Sequence, residues 1–365
     1  MERNILIISN TIRGLHSFRK EVIKAICDLG YKVYISVPDE SRKAEYFKEI
    51  GCTIILTAFN RRGTNPLSDF RLMLTYRKLM RQLNPVAVLT YTVKPNIYGG
   101  MAARLCKIPQ LANVTGLGDA VENGGWLQKL TVSLYKVGLK KSHKVFFQNA
   151  SNRDFFIRKG ITDESSVLLP GSGVNLQLHQ YQEYPADEGK IRFLFIARLL
   201  KDKGTDEFFE AATAIKNKYP QTEFQIVGRV EGEYQEQLDK LESEGIVHFY
   251  GLQLDVRPFI GAVECTVMPS YHEGMSNVNL ESAANGRPVI TTNVPGCRET
   301  VSNGLTGYLI EPRSSKSLIE AMERFIMLPY NQKVLMGQEG RKKVEKEFDR
   351  SIVIDAYLKA LNELR

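Results

Sequence analysis

The 365-residue sequence lacks the features that mark several classes of protein. No stretch approaches the roughly 18 uninterrupted apolar residues of a membrane-spanning helix. The N-terminus, MERNILIISN, runs straight into a strand-like segment with no cleavable leader pattern, so the expected location is the cytoplasm. Cysteine is scarce and scattered: Cys27, Cys52, Cys106, Cys265 and Cys297 are odd in number and show no CxxC spacing, which suggests neither a disulfide framework nor a zinc site. The turn after the first strand, SNTIRGLHSF, carries Gly14 alone where a dinucleotide fold needs GxGxxG. With no GxxxxGK[ST] either, a nicotinamide dehydrogenase and a P-loop enzyme are both disfavoured. No DxD stands in a plausible loop to hold a metal, and no low-complexity run interrupts the chain.

What is present describes a globular protein of about two domains, 43% hydrophobic and 25% charged. The net charge of +8 is uneven: residues 1–170 hold 26 Lys and Arg against 13 Asp and Glu, and the remainder 23 against 28. A basic first half suits an anionic membrane, a phosphate-bearing substrate or nucleic acid, or is plain solvated surface. No nucleic-acid motif accompanies it.

Apolar, β-branched runs recur at 4–9, 32–37, 53–58, 86–91, 110–115, 144–149 and 166–170, separated by helical periodicity such as 17–30, closed by Gly30, and 66–84, closed by Pro85. A second set follows at 191–199, 222–228, 247–251, 264–270, 287–292 and 306–312. Alternation of this kind predicts an α/β protein of two Rossmann-like, doubly wound domains facing across a cleft. The expected divisions are an acceptor-binding domain over 1–178, a polar linker over 179–190, a second domain over 191–345, and a C-terminal helix over 346–365 that packs back toward the first domain.

Two motifs lie at predicted carboxyl ends of strands, where open α/β sheets bind ligands. In ARLLKDKG, Arg198 follows one strand and Lys203 precedes Gly204; Asp202 and Asp206 nearby offer the plainer reading of an exposed ion-pair cluster. In SYHEGMSNVNLESAANGRPVI, Glu273 stands in a loop, Ser276 can cap a helix starting near Asn277, and Glu281 lies eight residues beyond Glu273, on the order of 10 Å along a helix. The free amides of Asn277 and Val278 offer a phosphate site, over which Arg198 and Lys203 would close. Carboxylates on either side can take sugar and ribose hydroxyls, and a molecule with hydroxyls flanking a diphosphate is a nucleotide sugar.

These residues resemble glycosyltransferase family 4, the glycosyl transferases group 1 of GT-B architecture. The likeness rests on Glu273 and Glu281 followed by SAANGRPVITT (282–292), on GLTGYLIEP (304–312), on ARLLKDKG and on residues 251–274, all in order. It implies a retaining hexosyltransferase that uses a UDP-sugar as donor substrate and needs no cofactor or metal. Arg198, Lys203 and Glu273 would be catalytic. Gly14, Gly228, Leu252, Gly274, Met275, Ser276, Asn277, Val278 and Glu281 would complete the donor site. His272 is either sugar-facing or a satisfied loop histidine. The first half matches more loosely: TYTVKPNIYGG (90–100) and NVTGLGDAVENGG (113–125) lack the family's acceptor-side histidine and leave His16, Lys94, Thr115, Gly116 and Asp119 as acceptor-site candidates. TVKPNIYGGMAARL followed by TGLGDA resembles bacterial members that extend undecaprenyl-diphosphate-linked saccharides at the inner face of the membrane. That implies a lipid-linked or soluble saccharide acceptor and a peripheral place on an anionic membrane surface, with Arg61-Arg62, Arg77-Lys78-Arg81 and Lys136-Lys140-Lys141 as contacts and no nucleic-acid partner. A UDP-sugar 2-epimerase of the same architecture and a non-catalytic sugar-nucleotide-binding protein are the alternatives.

Overall fold

The structure, a computed structural model, describes residues 3–364 apart from 40, 61–64 and 117–124. It divides into two compact units, Met1–Ser172 with Ser351–Arg365, and Gly173–Arg350.

In the first unit the seven apolar runs become β1 (Asn4–Ile8), β2 (Lys32–Val37), β3 (Thr53–Leu56), β4 (Ala87–Tyr91), β5 (Gln110–Val114), β6 (Lys144–Phe147) and β7 (Val167–Leu168). They form one parallel sheet in the order β3-β2-β1-β4-β5-β6-β7. Side chains alternate across a strand, so β1 feeds two cores. Ile5 and Ile7 pack with Val22, Ile26 and Tyr357, whereas Leu6 and Ile8 pack with Leu72, Tyr76 and Met80. Both faces of the sheet are thus covered, which is why its strands read as unbroken apolar runs.

The second unit repeats the plan with β8 (Ile191–Ile196), β9 (Thr222–Val227), β10 (His248–Phe249), β11 (Cys265–Met268), β12 (Val289–Thr292) and β13 (Gly307–Ile310), in the order β10-β9-β8-β11-β12-β13. Phe193 and Phe195 face Phe208 and Phe325 on one side; Leu194 and Ile196 face Ile260 and Val263 on the other.

Three expectations about organisation change. The helix expected over 17–30 is two, Ile12–Phe18 and Lys20–Asp28, broken at the buried Arg19. Asn84, left-handed at φ 41°, ends helix Pro66–Leu83 one residue before Pro85. The boundary expected at 178 lies at Ser172, and residues 179–190 are no free linker. Buried Tyr184 donates to the Glu264 carbonyl at 2.9 Å, and the buried Arg287 guanidinium donates to the carbonyls of Gln182 (3.0 Å) and Glu183 (2.8 Å). Burial of one tyrosine and of two backbone carbonyls on an arginine ties this polar segment to the second unit. Helix Arg350–Asn362 lies in the first unit beyond its opening residue, with Val353, Tyr357, Ala360 and Leu361 in the same core as Ile5 and Ile7.

Candidate active site

In the second unit the strand order reverses between β8 and β11, and loops leaving the carboxyl ends of those neighbours diverge to leave a crevice. Arg198 and Lys203 leave β8; Glu273 leaves β11. The turn Lys201–Lys203 ends at Gly204, φ 75°, where a Cβ would stand 2.2 Å from the Pro269 carbonyl oxygen. Glycine lets the two loops touch there. The Asp202 carbonyl then accepts from the Tyr271 amide (2.9 Å) and the Ser270 hydroxyl (3.2 Å), so the loops are fastened together.

The consequence is a direct ion pair: Lys203 Nζ donates to Glu273 Oε1 at 2.8 Å, with side chains only 15% and 18% exposed. Glu273 itself is held by Gly296, φ 83°, whose missing Cβ would lie 2.3 Å from the Glu273 carbonyl oxygen. Gly296 also accepts from the Ser276 amide (2.7 Å) and donates to Glu299 Oε2 (2.7 Å).

Ser276 caps helix Asn277–Ala284 through its hydroxyl, which accepts from the Asn279 amide at 3.4 Å. The buried Asn279 side chain donates to Thr291 (3.1 Å) and Thr300 (3.0 Å), which anchors the first turn to β12 and the segment beyond it. The amides of Asn277 and Val278 take no hydrogen bond in the described structure and carry the positive end of the helix dipole. Glu281 lies further along the same helix, partly buried. Burial pushes its carboxyl up to about 7, with Arg350 acting in the opposite direction.

Several expected residues take unexpected partners. Arg198 is half exposed and donates to Glu231 Oε2 at 3.0 Å, a carboxylate that Arg229 also holds. The pair-forming acids are therefore Glu231 and Glu273, and neither Asp202 nor Asp206 pairs with Arg198 or Lys203. Gly228, just past β9, has no room for a side chain, since a Cβ would lie 1.7 Å from the Ala197 carbonyl oxygen. Its amide donates to Gly251 (2.9 Å), beside the exposed Leu252. Met275 is buried with Val174 and Leu280 in a core cluster, and the His272 carbonyl accepts from Ser270 (3.1 Å).

The first unit reverses its strand order between β1 and β4, and the acceptor-side candidates fall at the carboxyl ends of β1, β4 and β5. His16 follows Gly14 on helix Ile12–Phe18 and packs edge-on against Tyr46 and Phe47; burial, with Lys43 and Lys20 nearby, lowers its pKa. Lys94 is not free. It donates to Asp69 at 2.5 Å, and Tyr98 donates to the other oxygen of that carboxylate at 2.9 Å. Thr92, two residues before Lys94, sits at φ 74°, a conformation costing a β-branched residue about 1–3 kcal/mol. Strain of this kind gathers at functional sites. Thr115 and Gly116 directly follow β5; Asp119, like Arg61 and Arg62, lies outside the described residues. Asp69, Thr92 and Glu231 carry no sequence spacing that ties them to a site, and the only signal for Tyr98 is its place four residues after Lys94. Among the described residues no group of three or more His, Cys, Asp or Glu is arranged to hold a metal ion.

Two parallel doubly wound sheets, the second bearing paired carboxylates and cations around a capped helix start, define a glycosyltransferase of GT-B fold. The model for glycosyl transferases group 1 matches residues 179–343, and that for glycosyl transferase 4-like domains matches 5–149. The chain belongs to this family, glycosyltransferase family 4, and is a hexosyltransferase. It is 29% identical, over 96% of both chains, to the N,N'-diacetylbacillosaminyl-diphospho-undecaprenol alpha-1,3-N-acetylgalactosaminyltransferase of Campylobacter jejuni. It is 26% identical to the UDP-Gal:alpha-D-GlcNAc-diphosphoundecaprenol alpha-1,3-galactosyltransferase of Escherichia coli, covering 79% of this chain and 78% of that one. Among solved structures, Anabaena HepE in complex with UDP and glucose superposes with a TM-score of 0.80 at 17% identity, over 99% of this chain and 100% of that one.

Proposed function

We infer that the enzyme transfers a hexose or N-acetylhexosamine from a UDP-sugar to a hydroxyl of an undecaprenyl-diphosphate-linked saccharide, with retention at the anomeric carbon, in bacterial glycan assembly. The observation that carries this reading is the Lys203–Glu273 ion pair, which joins the loops after β8 and β11, the first carrying Arg198 and the second leading into the capped helix start at Asn277. The acceptors named for the Campylobacter and Escherichia relatives support the acceptor class, and UDP in the HepE complex supports the donor.

In the chain itself Lys203 is neutralised by Glu273, and Arg198 by Glu231. A diphosphate carries enough charge to compete for both cations. Lys203 then turns to the diphosphate with the helix amides, and Glu273 is released to accept hydroxyl hydrogen bonds from the sugar. As the bond from the anomeric carbon to the β-phosphate oxygen breaks, charge gathers on UDP, where Arg198, Lys203 and the helix dipole meet it. The acceptor oxygen bonds to the anomeric carbon on the same face and passes its proton to a β-phosphate oxygen. No separate protein base is then required. Glu281 receives the ribose, Leu252 lies by the base, and Lys94, Thr115, Gly116, Asp119 and His16 serve the acceptor side. A basic first half holds the enzyme at the inner face of the membrane where such acceptors reside.

The test is incubation of the purified protein with UDP-Glc, UDP-Gal, UDP-GlcNAc and UDP-GalNAc and an undecaprenyl-diphosphate-linked mono- or disaccharide. One donor should yield an extended product whose new linkage keeps the donor's anomeric configuration by NMR. Inversion at that carbon would sink the retaining mechanism, and a C2 epimer of the free donor without transfer would replace the reading with an epimerase.

A further inference from the structure

On one face of the first unit, three helices lie side by side: Pro66–Leu83, Gly100–Cys106 and Gly125–Gly138, joining β3 to β4, β4 to β5 and β5 to β6. Their inner sides fill the cores around Leu72, Tyr76, Ala103, Val132 and Tyr135. Gly100 and Gly138 permit the close fit, since a Cβ at Gly100 would stand 2.2 Å from the Gly138 carbonyl oxygen. Arg104 adds a hydrogen bond to the Val137 carbonyl at 2.7 Å.

The outer sides do not read as an ordinary solvated surface. On Pro66–Leu83, Leu67, Phe70 and Leu74 recur at helical spacing, with Leu67 72% and Phe70 56% exposed. On Gly125–Gly138, Trp126 and Leu130 do the same, and Trp126 is 73% exposed. The same ridges continue in basic residues: Arg71, Lys78 and Arg81 on the first helix, Lys129 and Lys136 on the other, all exposed. Among the described residues of these three helices no acid is exposed. The one carboxylate in the three helices, Asp69, is buried against Lys94.

In a parallel sheet each crossover helix runs back from the carboxyl edge, so the apolar first turns of both, with Arg71 and Lys129 among them, lie toward the edge that carries Lys94 and Thr115, and Lys78, Arg81 and Lys136 lie further from it. An exposed apolar ridge running among lysines and arginines, with no exposed acid among the described residues of its helices, matches a bilayer interface: aromatic and leucine side chains enter the headgroup boundary while cations meet lipid phosphates. A second copy of the chain would bring like charge against like charge.

We propose that this three-helix face is the surface by which the enzyme docks on an anionic lipid bilayer, with Trp126, Leu67 and Phe70 inserted and the flanking lysines and arginines on headgroup phosphates. It deepens the reading above by assigning the membrane contact to an apolar insertion rather than to charge alone, and it brings the acceptor edge of the sheet to the surface that carries the acceptor.

Trp126 is the only tryptophan, so intrinsic fluorescence reports on this face alone. The full-length protein is mixed, without any sugar nucleotide, with vesicles of phosphatidylglycerol and phosphatidylcholine or of phosphatidylcholine alone. Anionic vesicles should shift Trp126 emission to the blue, bromine-labelled acyl chains should quench it, and flotation should fall in high salt but keep a salt-resistant remainder. Phe70→Ser should weaken vesicle binding about tenfold. Each of Lys129→Glu and Lys136→Glu should weaken it at least fivefold, from about 1 kcal/mol per basic group. These positions are exposed, so the variants should melt as wild type does and turn over a short-chain soluble acceptor at the wild-type rate. Flotation with an unshifted Trp126, binding unaffected by Phe70→Ser, or the same blue shift with duplex DNA or on raising protein concentration alone would overturn the assignment. A protein that binds vesicles in this way yet transfers no sugar would leave the docking face standing and remove the proposed activity; the converse result would do the opposite.

Discussion

Lys203 and Glu273 are a mostly buried pair, and removing one partner strands the other charge. Lys203→Ala is expected to lower turnover by about two to three decades, as loss of a charge-stabilising donor does, and also to lower the melting temperature. Adding Glu273→Gln to that variant should recover stability without recovering turnover. Thermal melts beside donor kinetics separate the two effects. A single variant that melted normally and turned over normally would remove Lys203 from the leaving-group site. Arg198→Ala, half exposed, should cut turnover similarly with little change in melting. Glu281 makes a second case. Its folded carboxyl near 7 lies above its ordinary 4.5, so the folded state holds the proton more tightly than the unfolded chain. The folded protein keeps that advantage below about pH 4.5 and loses it progressively as pH rises toward 7. Glu281→Gln should therefore melt higher than wild type at pH 8 and about equally at pH 4.5, yet bind UDP more weakly at pH 8 because the carboxylate that would accept ribose hydroxyls is gone. Melting curves and calorimetric titration with UDP at both pH values check this.

At the scale of loops and helices, the site depends on two close approaches that only glycine allows. Gly204→Ala and Gly296→Ala each place a Cβ against a carbonyl oxygen at positive φ, at 2.2 Å and 2.3 Å respectively. Each should cost at least about 1–3 kcal/mol and loosen the Lys203–Glu273 junction, read out as a lower melting temperature together with weaker UDP binding. This level also shows what the sequence makes legible. Arg198, Lys203, Glu273 and Ser276 could be placed because alternating apolar runs fix where strands end, and a parallel sheet gathers those ends at one edge. Glu231 could not, because its pairing with Arg198 joins loops after two different strands with no spacing to announce it. Asp69 meets Lys94 and Tyr98, which stand four residues apart on one helical segment, from a separate helix in the same way. The segment 179–190 read as a linker because its composition is polar, while its attachment depends on Tyr184 and on backbone carbonyls that composition does not register.

At the scale of the whole molecule, leaving-group charge is assigned to protein cations, and transfer is expected to survive EDTA. A loss of turnover on chelation that magnesium or manganese restored would overturn that assignment. The uneven charge acts at this scale too. With 26 Lys and Arg against 13 Asp and Glu in residues 1–170, turnover of a lipid-linked acceptor in anionic vesicles should fall with rising salt far more than turnover of a soluble one. Parallel rate measurements on the two acceptors test it.

Helix Arg350–Asn362 completes the core of the first unit, although the whole of Gly173–Arg350 intervenes in the chain. During synthesis at about 5–20 residues per second, the nascent first unit must wait about 10–40 s after Ser172 for Tyr357 and Leu361 to be added, while the second unit can close before them. The half made first is thus the half finished last. Chains ending at Arg350 and tethered to the ribosome by an added linker long enough to span the exit tunnel should resist protease over 173–350 and remain cleavable within 1–172.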